Sequence, residues 1–201
     1  MSDLLAFVQL GARHILDVEA VDHILFLVAL AAIYRPRDWR AALWVASAFT
    51  VGHSITLALA VTGLVRFPSA VVEFLIPVTI VATAVENVVR GARGVSAGRG
   101  GARVVLTGVF GLVHGAGFAN YLRDVFADHI ALPLFGFNVG IELGQIVVLA
   151  AAFGALVLVD RALAVARRQM AAPTRLQWRI ASVSVAVGVV AARWAVERAP
   201  W

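Results

Sequence analysis

The sequence predicts an all-α fold: a polytopic transmembrane helical bundle of six to seven membrane segments, the first two of them short. Three observations carry this expectation. Of 201 residues, 61% are apolar and only 14% are charged, with a mean hydropathy of +0.89. Soluble domains run near about 45–50% apolar, so this chain holds more apolar surface than a soluble fold of its size can hide. The apolar residues also fall into seven runs of helical length, and the arginines gather between those runs. At this length the chain reads as one membrane-embedded domain over residues 1–201, with no room for a separate soluble domain.

The first two segments cover residues 3–16 and 20–34 and are separated by Asp17-Val18-Glu19. At 1.5 Å per residue, a helix as short as the first reaches only ~21 Å, less than the ~30 Å hydrocarbon core. Either segment is therefore expected to be tilted, re-entrant or interfacial. The first ends near His14 and the second opens on Asp22-His23. On one unbroken helix His14 and His23 would point to opposite faces. A turn at 17–19 lets two short helices fold back and bring the imidazoles together. Asp22 is then either a ligand or the acceptor that orients His23, and the plainer alternative is a helix cap. Residues 4–16 are not expected to form an ordinary signal peptide, because no basic residue precedes them and no small-x-small site follows.

The third segment, 39–65, carries Ser47, Thr50, His53 and Ser54 at helical spacing, a polar stripe with a histidine near mid-membrane. Hydroxyls alone read as helix packing; an imidazole at that depth reads as function. The fourth, 68–90, holds Glu73 one turn before Pro77, then Glu86-Asn87 near its other end, with Arg90 placed to pair with Glu86. The fifth, 102–121, contains His114 among Gly111, Gly115 and Gly117, small residues that let a neighbouring backbone come close. The sixth, 132–159, projects Asn138, Glu142 and Gln145 from one face. The seventh, 177–198, completes the bundle.

Loop charge sets the expected orientation. The Arg-rich loops 35–40, 90–103 and 160–179 should be cytoplasmic, and the acidic turns at 17–19 and 124–128 should lie outside. On this orientation His23, Glu73, Asn138 and Glu142 share the outer half with His53 and His114 near the middle, a depth match that allows one outward-open site. Glu86-Asn87 would then lie on the way to the cytoplasm.

Composition also excludes chemistry. The chain has no cysteine, which rules out disulfides, thiolate metal sites and iron–sulfur clusters. Any metal must use His, Asp, Glu or Asn. All 17 basic residues are arginine, so no lysine nucleophile exists. The net charge of +5 resides in inter-helix loops, and no nucleic-acid partner is expected. The Gly-rich stretch 91–103 lacks the spacing, the lysine and the preceding strand of a phosphate-binding loop and reads as a cytoplasmic linker.

Five blocks then resemble successive signatures of the HupE/UreJ family, in the family's order over about residues 7–148: GARHILDVEAVDHILFLVAL, SAFTVGHSITLAL, VEFLIPVTIVATAVEN, FGLVHGAGFANYL and FNVGIELGQ. The resemblance implies a small polytopic protein of the bacterial cytoplasmic (inner) membrane, encoded with hydrogenase or urease genes and regarded as a nickel or cobalt permease. It implies metal ligation by His14, Asp22, His23, His53, His114 and Glu142. Ser54, Glu73, Glu86, Asn87, Asn138, Gln145 and Asp17 would line the pathway or support those ligands. The family's better-studied members place five residues between the first His and the Asp-His pair. Here seven separate His14 from Asp22, and the second motif shortens to VHGAG, which marks a divergent branch. The expected bound ion is a divalent metal, Ni, Co or Zn, and the expected partners are that ion, the lipid bilayer and, in an oligomer, further copies of the chain. Two other functions fit the residues: an intramembrane zinc-dependent hydrolase, and a non-catalytic metal-delivery subunit of a larger complex.

Overall fold

In the computed structural model, residues 2–18, 21–94, 101–125, 130–166 and 172–201 are described. They form seven α-helices: α1 (Ser2–Leu16), α2 (Asp22–Ala32), α3 (Trp39–Val61), α4 (Ser69–Ala92), α5 (Gly101–Val125), α6 (Ala131–Ala166) and α7 (Ala172–Glu197). One 3₁₀ turn, Pro36–Asp38, precedes α3. No strand occurs among the described residues. The five long helices are apolar and long enough to cross a membrane, while α1 and α2 are short apolar helices. The expected acidic turns fall partly on Glu19 and on 126–129, which lie outside the described residues, as do 95–100 and 167–171 of the Arg-rich loops.

Helix ends follow local chemistry. The third segment stops at Val61, short of the expected residue 65. There the Thr62 hydroxyl donates back to the carbonyls of Ala58 and Leu59, and Gly63 takes φ +76°, the left-handed cap conformation that glycine adopts without a Cβ clash. Pro36 ends the preceding segment, with Arg35 held extended ahead of it. Pro77, inside α4, has no N–H to give the Glu73 carbonyl one turn back.

The helices associate mainly in three pairs: α3 with α5, α1 with α6, and α4 with α7. Glycines make the first two possible. A Cβ at Gly111 or Gly115 of α5 would run into the carbonyl oxygens of Phe49 or His53, and one at Gly52 of α3 into that of Gly108. Likewise a Cβ at Gly140 of α6 would strike Val8, and one at Gly11 of α1 would strike Phe137. Contacts rise together along both chains (Leu4 at Gly136, Val8 at Gly140, Ile15 at Gly144), so α1 and α6 run parallel. The same holds for α3 and α5 (Phe49 at Gly111, His53 at Gly115). In contrast, α4 and α7 are antiparallel, with Gly91 at Ile180 and Ala84 at Gly188.

The expected fold-back of the first two segments is not what forms. Instead α1 lies along α6, and α2 packs among α4, α6 and α7. Asp22 at the start of α2 meets Arg198 beyond the end of α7, and Ala32 at its other end meets Arg179. Thus α2 runs antiparallel to α7. Because α6 returns from the far end of α5 to the start of α7, α1 and α2 share one direction. The end of α1 at Leu16 lies near the start of α2 at Asp22, with His14 beside His23, so the two short helices follow one another in one direction with a break between them.

Candidate metal centre

Four of the five histidines meet at that break. His14 closes α1, His23 opens α2, His53 lies well inside α3, and His114 lies inside α5. The His14 and His23 ring centroids are 4.5 Å apart, His14 and His53 5.8 Å, His23 and His53 6.1 Å, and His23 and His114 5.2 Å. One ring nitrogen from each of His14, His23 and His53 falls within 4.8 Å of the other two. Tetrahedral coordination with bonds of about 2.0–2.1 Å needs donor separations of about 3.4 Å, so the nitrogens would draw closer on sharing one ion.

The site is dry. His53 is 0% and His114 1% exposed. Phe26, Phe49, Phe118 and Phe137 surround the imidazoles, with Phe118 as close as 4.0 Å to His14 between centroids and Phe49 at 5.0 Å from His114. Within this shell, His14 Nε2, His23 Nε2, both nitrogens of His53 and His114 Nδ1 are buried without a hydrogen-bond partner. Buried polar atoms in native proteins are almost always satisfied, and leaving one unpaired costs about 1–3 kcal/mol. His14, His23 and His53 can each offer one ring nitrogen to a common point, a donor set whose chemistry suits a cation.

The state of His114 follows from its neighbour. Thr79 Oγ1 donates its single proton to the Ile76 carbonyl at 2.7 Å and lies 2.9 Å from His114 Nε2. With its proton committed, the hydroxyl can only accept, so the network assigns the hydrogen to Nε2 and leaves the lone pair on Nδ1. That lone pair is one of the unpartnered atoms. This is the usual arrangement for a metal-binding histidine, with one nitrogen held by an outer partner and the other free for the ion.

The remaining expected residues are placed differently. Asp22 pairs with Arg198 at 3.2 Å. Glu142 accepts from Ser47 at 3.1 Å, and Gln145 from Thr50 at 3.2 Å, so the polar faces of α6 and α3 do meet, as partners of one another beside the histidines. Asn138 Oδ1 and Gln145 Nε2 are buried and unpartnered. The Ser54 hydroxyl returns to its own helix at the Thr50 carbonyl, 2.6 Å. Glu73 is exposed near the start of α4. Glu86 pairs with Arg90 at 3.0 Å, as its spacing suggests, and also with buried Arg103 at 2.8 Å. Asn87 joins Arg103 and gives its amide to the Ala29 carbonyl at 2.6 Å, which places this pair at the far end of α2 from the histidines. Asp17 is exposed and lines an open cavity of about 490 Å³ together with Arg13, His14 and Phe118. That cavity reaches His14, one edge of the histidine cluster.

Thr79 escapes a reading by residue type, since hydroxyls are common in membrane helices. So do Arg103 and Arg179, which are buried and cap the end of α2 through the carbonyls of Leu30, Ala32 and Tyr34. The signal for α1 docking was present in the sequence: Gly136, Gly140 and Gly144 repeat at four-residue spacing.

A family model described as HupE / UreJ protein matches residues 1–198. Comparison with curated proteins and with solved structures gives no match.

Proposed function

The chain belongs to the HupE/UreJ family, and from that premise we propose that it is a membrane facilitator for a divalent transition-metal ion of the nickel or cobalt type. The ion is the cargo. His14, His23 and His53 bind it, with His114 Nδ1 as a fourth donor. The observation that carries this reading is the set of three imidazoles that each offer a ring nitrogen within 4.8 Å of the other two, in a cluster that also holds buried ring nitrogens without a hydrogen-bond partner. Neutral nitrogen donors suit Ni²⁺, Co²⁺ and Zn²⁺. They neutralise none of its charge, which favours exchange over permanent retention. The C-terminal end of α1 turns its free carbonyls and negative dipole toward the same place, as broken helices do around cations in transporters. An opening beside His14 and Asp17 supplies access.

A hydrolytic zinc site is less well supported. Its water needs a carboxylate base beside the ion, and Asp22 and Glu142 are engaged by Arg198 and Ser47. The transport reading is tested by uptake of labelled Ni²⁺ into cells lacking their own permease. Wild type should accumulate the ion and His53→Ala should fall to background. Uptake unchanged by that substitution would overturn the proposal.

A further inference from the structure

At the end of the bundle away from the histidines, a second cavity of about 670 Å³ opens between the α2–α3 turn, α6 and α7. Five arginines line it (Arg35, Arg37, Arg161, Arg175 and Arg179) against one carboxylate, Asp160. The carboxylate is already used, 2.7 Å from Arg179 Nη1. Arg179 is fully buried, its other terminal nitrogen donates to the Ala32 and Tyr34 carbonyls, and its Nε donates to nothing among the described residues. Arg37 has only a long contact with Asp38, 3.9 Å, and Arg161 and Arg175 have no ion pair among the described residues. Concentrated positive charge with unspent guanidinium forks is a receptor for an oxyanion, and phosphate is the one whose geometry the fork matches.

We propose that this cavity binds a phosphate group, and that the phosphate is carried by an anionic phospholipid. Two of its walls, α6 and α7, are helices long and apolar enough to cross a membrane. Next in sequence to the lining residues Val157, Ala164 and Arg179, those helices expose Leu158, Val165 and Trp178. A headgroup in the cavity leaves its acyl chains against that apolar surface, a contact a soluble phosphate cannot make. Basic pockets between membrane helices on the side of the anionic leaflet take phosphodiester headgroups in this way. The bound lipid would hold the α2–α3 turn to α6 and α7 at the point where Arg179 anchors the end of α2.

The test is native mass spectrometry of the purified full chain with phosphatidylglycerol or with phosphatidylcholine of matched acyl chains, and with inorganic phosphate in a third arm. Phosphatidylglycerol should stay bound under conditions that strip phosphatidylcholine. The double variant Arg161→Gln/Arg175→Gln, which breaks no ion pair among the described residues, should weaken that binding by roughly tenfold or more. Arg193→Gln, outside the cavity, should leave it unchanged. Equal retention of the two lipids, or full retention by the double variant, would overturn the site. Displacement of phosphatidylglycerol by equimolar inorganic phosphate would overturn the lipid as its source. Because the comparison of lipids uses the wild-type chain, it decides the matter even if the double variant fails to fold.

Discussion

Thr79 makes no contact with any expected ion, yet it sets which nitrogen of His114 is free to bind one. Replacing it with valine keeps the shape, removes the acceptor and leaves the imidazole free to turn. Loss of an outer-shell partner of this kind costs about 10–100-fold in metal affinity. Thr79→Val should therefore weaken binding by that order in a competition titration against a chromophoric chelator, and an unchanged affinity would remove His114 from the ligand set. Loss of a direct ligand, His14 or His23, should weaken binding further still in the same titration. At this scale the histidines were legible, because an imidazole in an apolar run has few bland explanations. Their carboxylate neighbours were not. Asp22 looks like a ligand beside His23, but its partner Arg198 lies 176 positions away, a pairing that only the packing of α2 against α7 creates.

The seating of α1 depends on glycine at the element scale. That helix is too short to be held by its own hydrophobicity and is seated by backbone contact with Gly136, Gly140 and Gly144 of α6. A methyl group at Gly140 meets the Val8 carbonyl and the Ala12 nitrogen, which are backbone atoms and cannot swing aside. Overpacking of this sort costs about 1–3 kcal/mol, and here it also withdraws His14 from the cluster. Gly140→Ala is expected to lower the thermal midpoint and the bound metal together. Gly154→Ala, on the same helix with open space around it, should alter neither. If both variants behave alike, the glycine stripe is not what seats α1. Hydropathy located every helix, since burial in lipid is a property of each segment alone, but α6 runs on to Ala166 and α7 begins at Ala172, past the expected ends at 159 and 177. Which helix pairs with which, and that α1 and α2 share a direction, depends on contacts between distant segments that composition does not encode. The glycines were the readable exception: Gly136, Gly140 and Gly144 on α6, and Gly111 and Gly115 on α5.

Across the whole molecule, polar order is divided between two ends. Near the break lie the histidines and the Asp22–Arg198 pair; at the other end Arg103 and Arg179 bind Glu86 and Asp160 and cap the end of α2. The arginine-rich end should be cytoplasmic by the positive-inside rule. The chain has no cysteine, so single reporters can be placed without background. Leu64→Cys, at the exposed α3–α4 turn, should react with a membrane-impermeant maleimide in intact cells, while Arg37→Cys should react only after permeabilisation. The reverse pattern would invert the molecule and place the opening at His14 on the cytoplasmic side. The central claim, that the interior holds a metal through imidazoles, is tested most directly by the metal content of the purified full-length protein after incubation with Ni²⁺ and removal of excess ion. One ion per chain is expected for wild type and almost none for His53→Ala. Equal metal in the two proteins, or none in either, would contradict it.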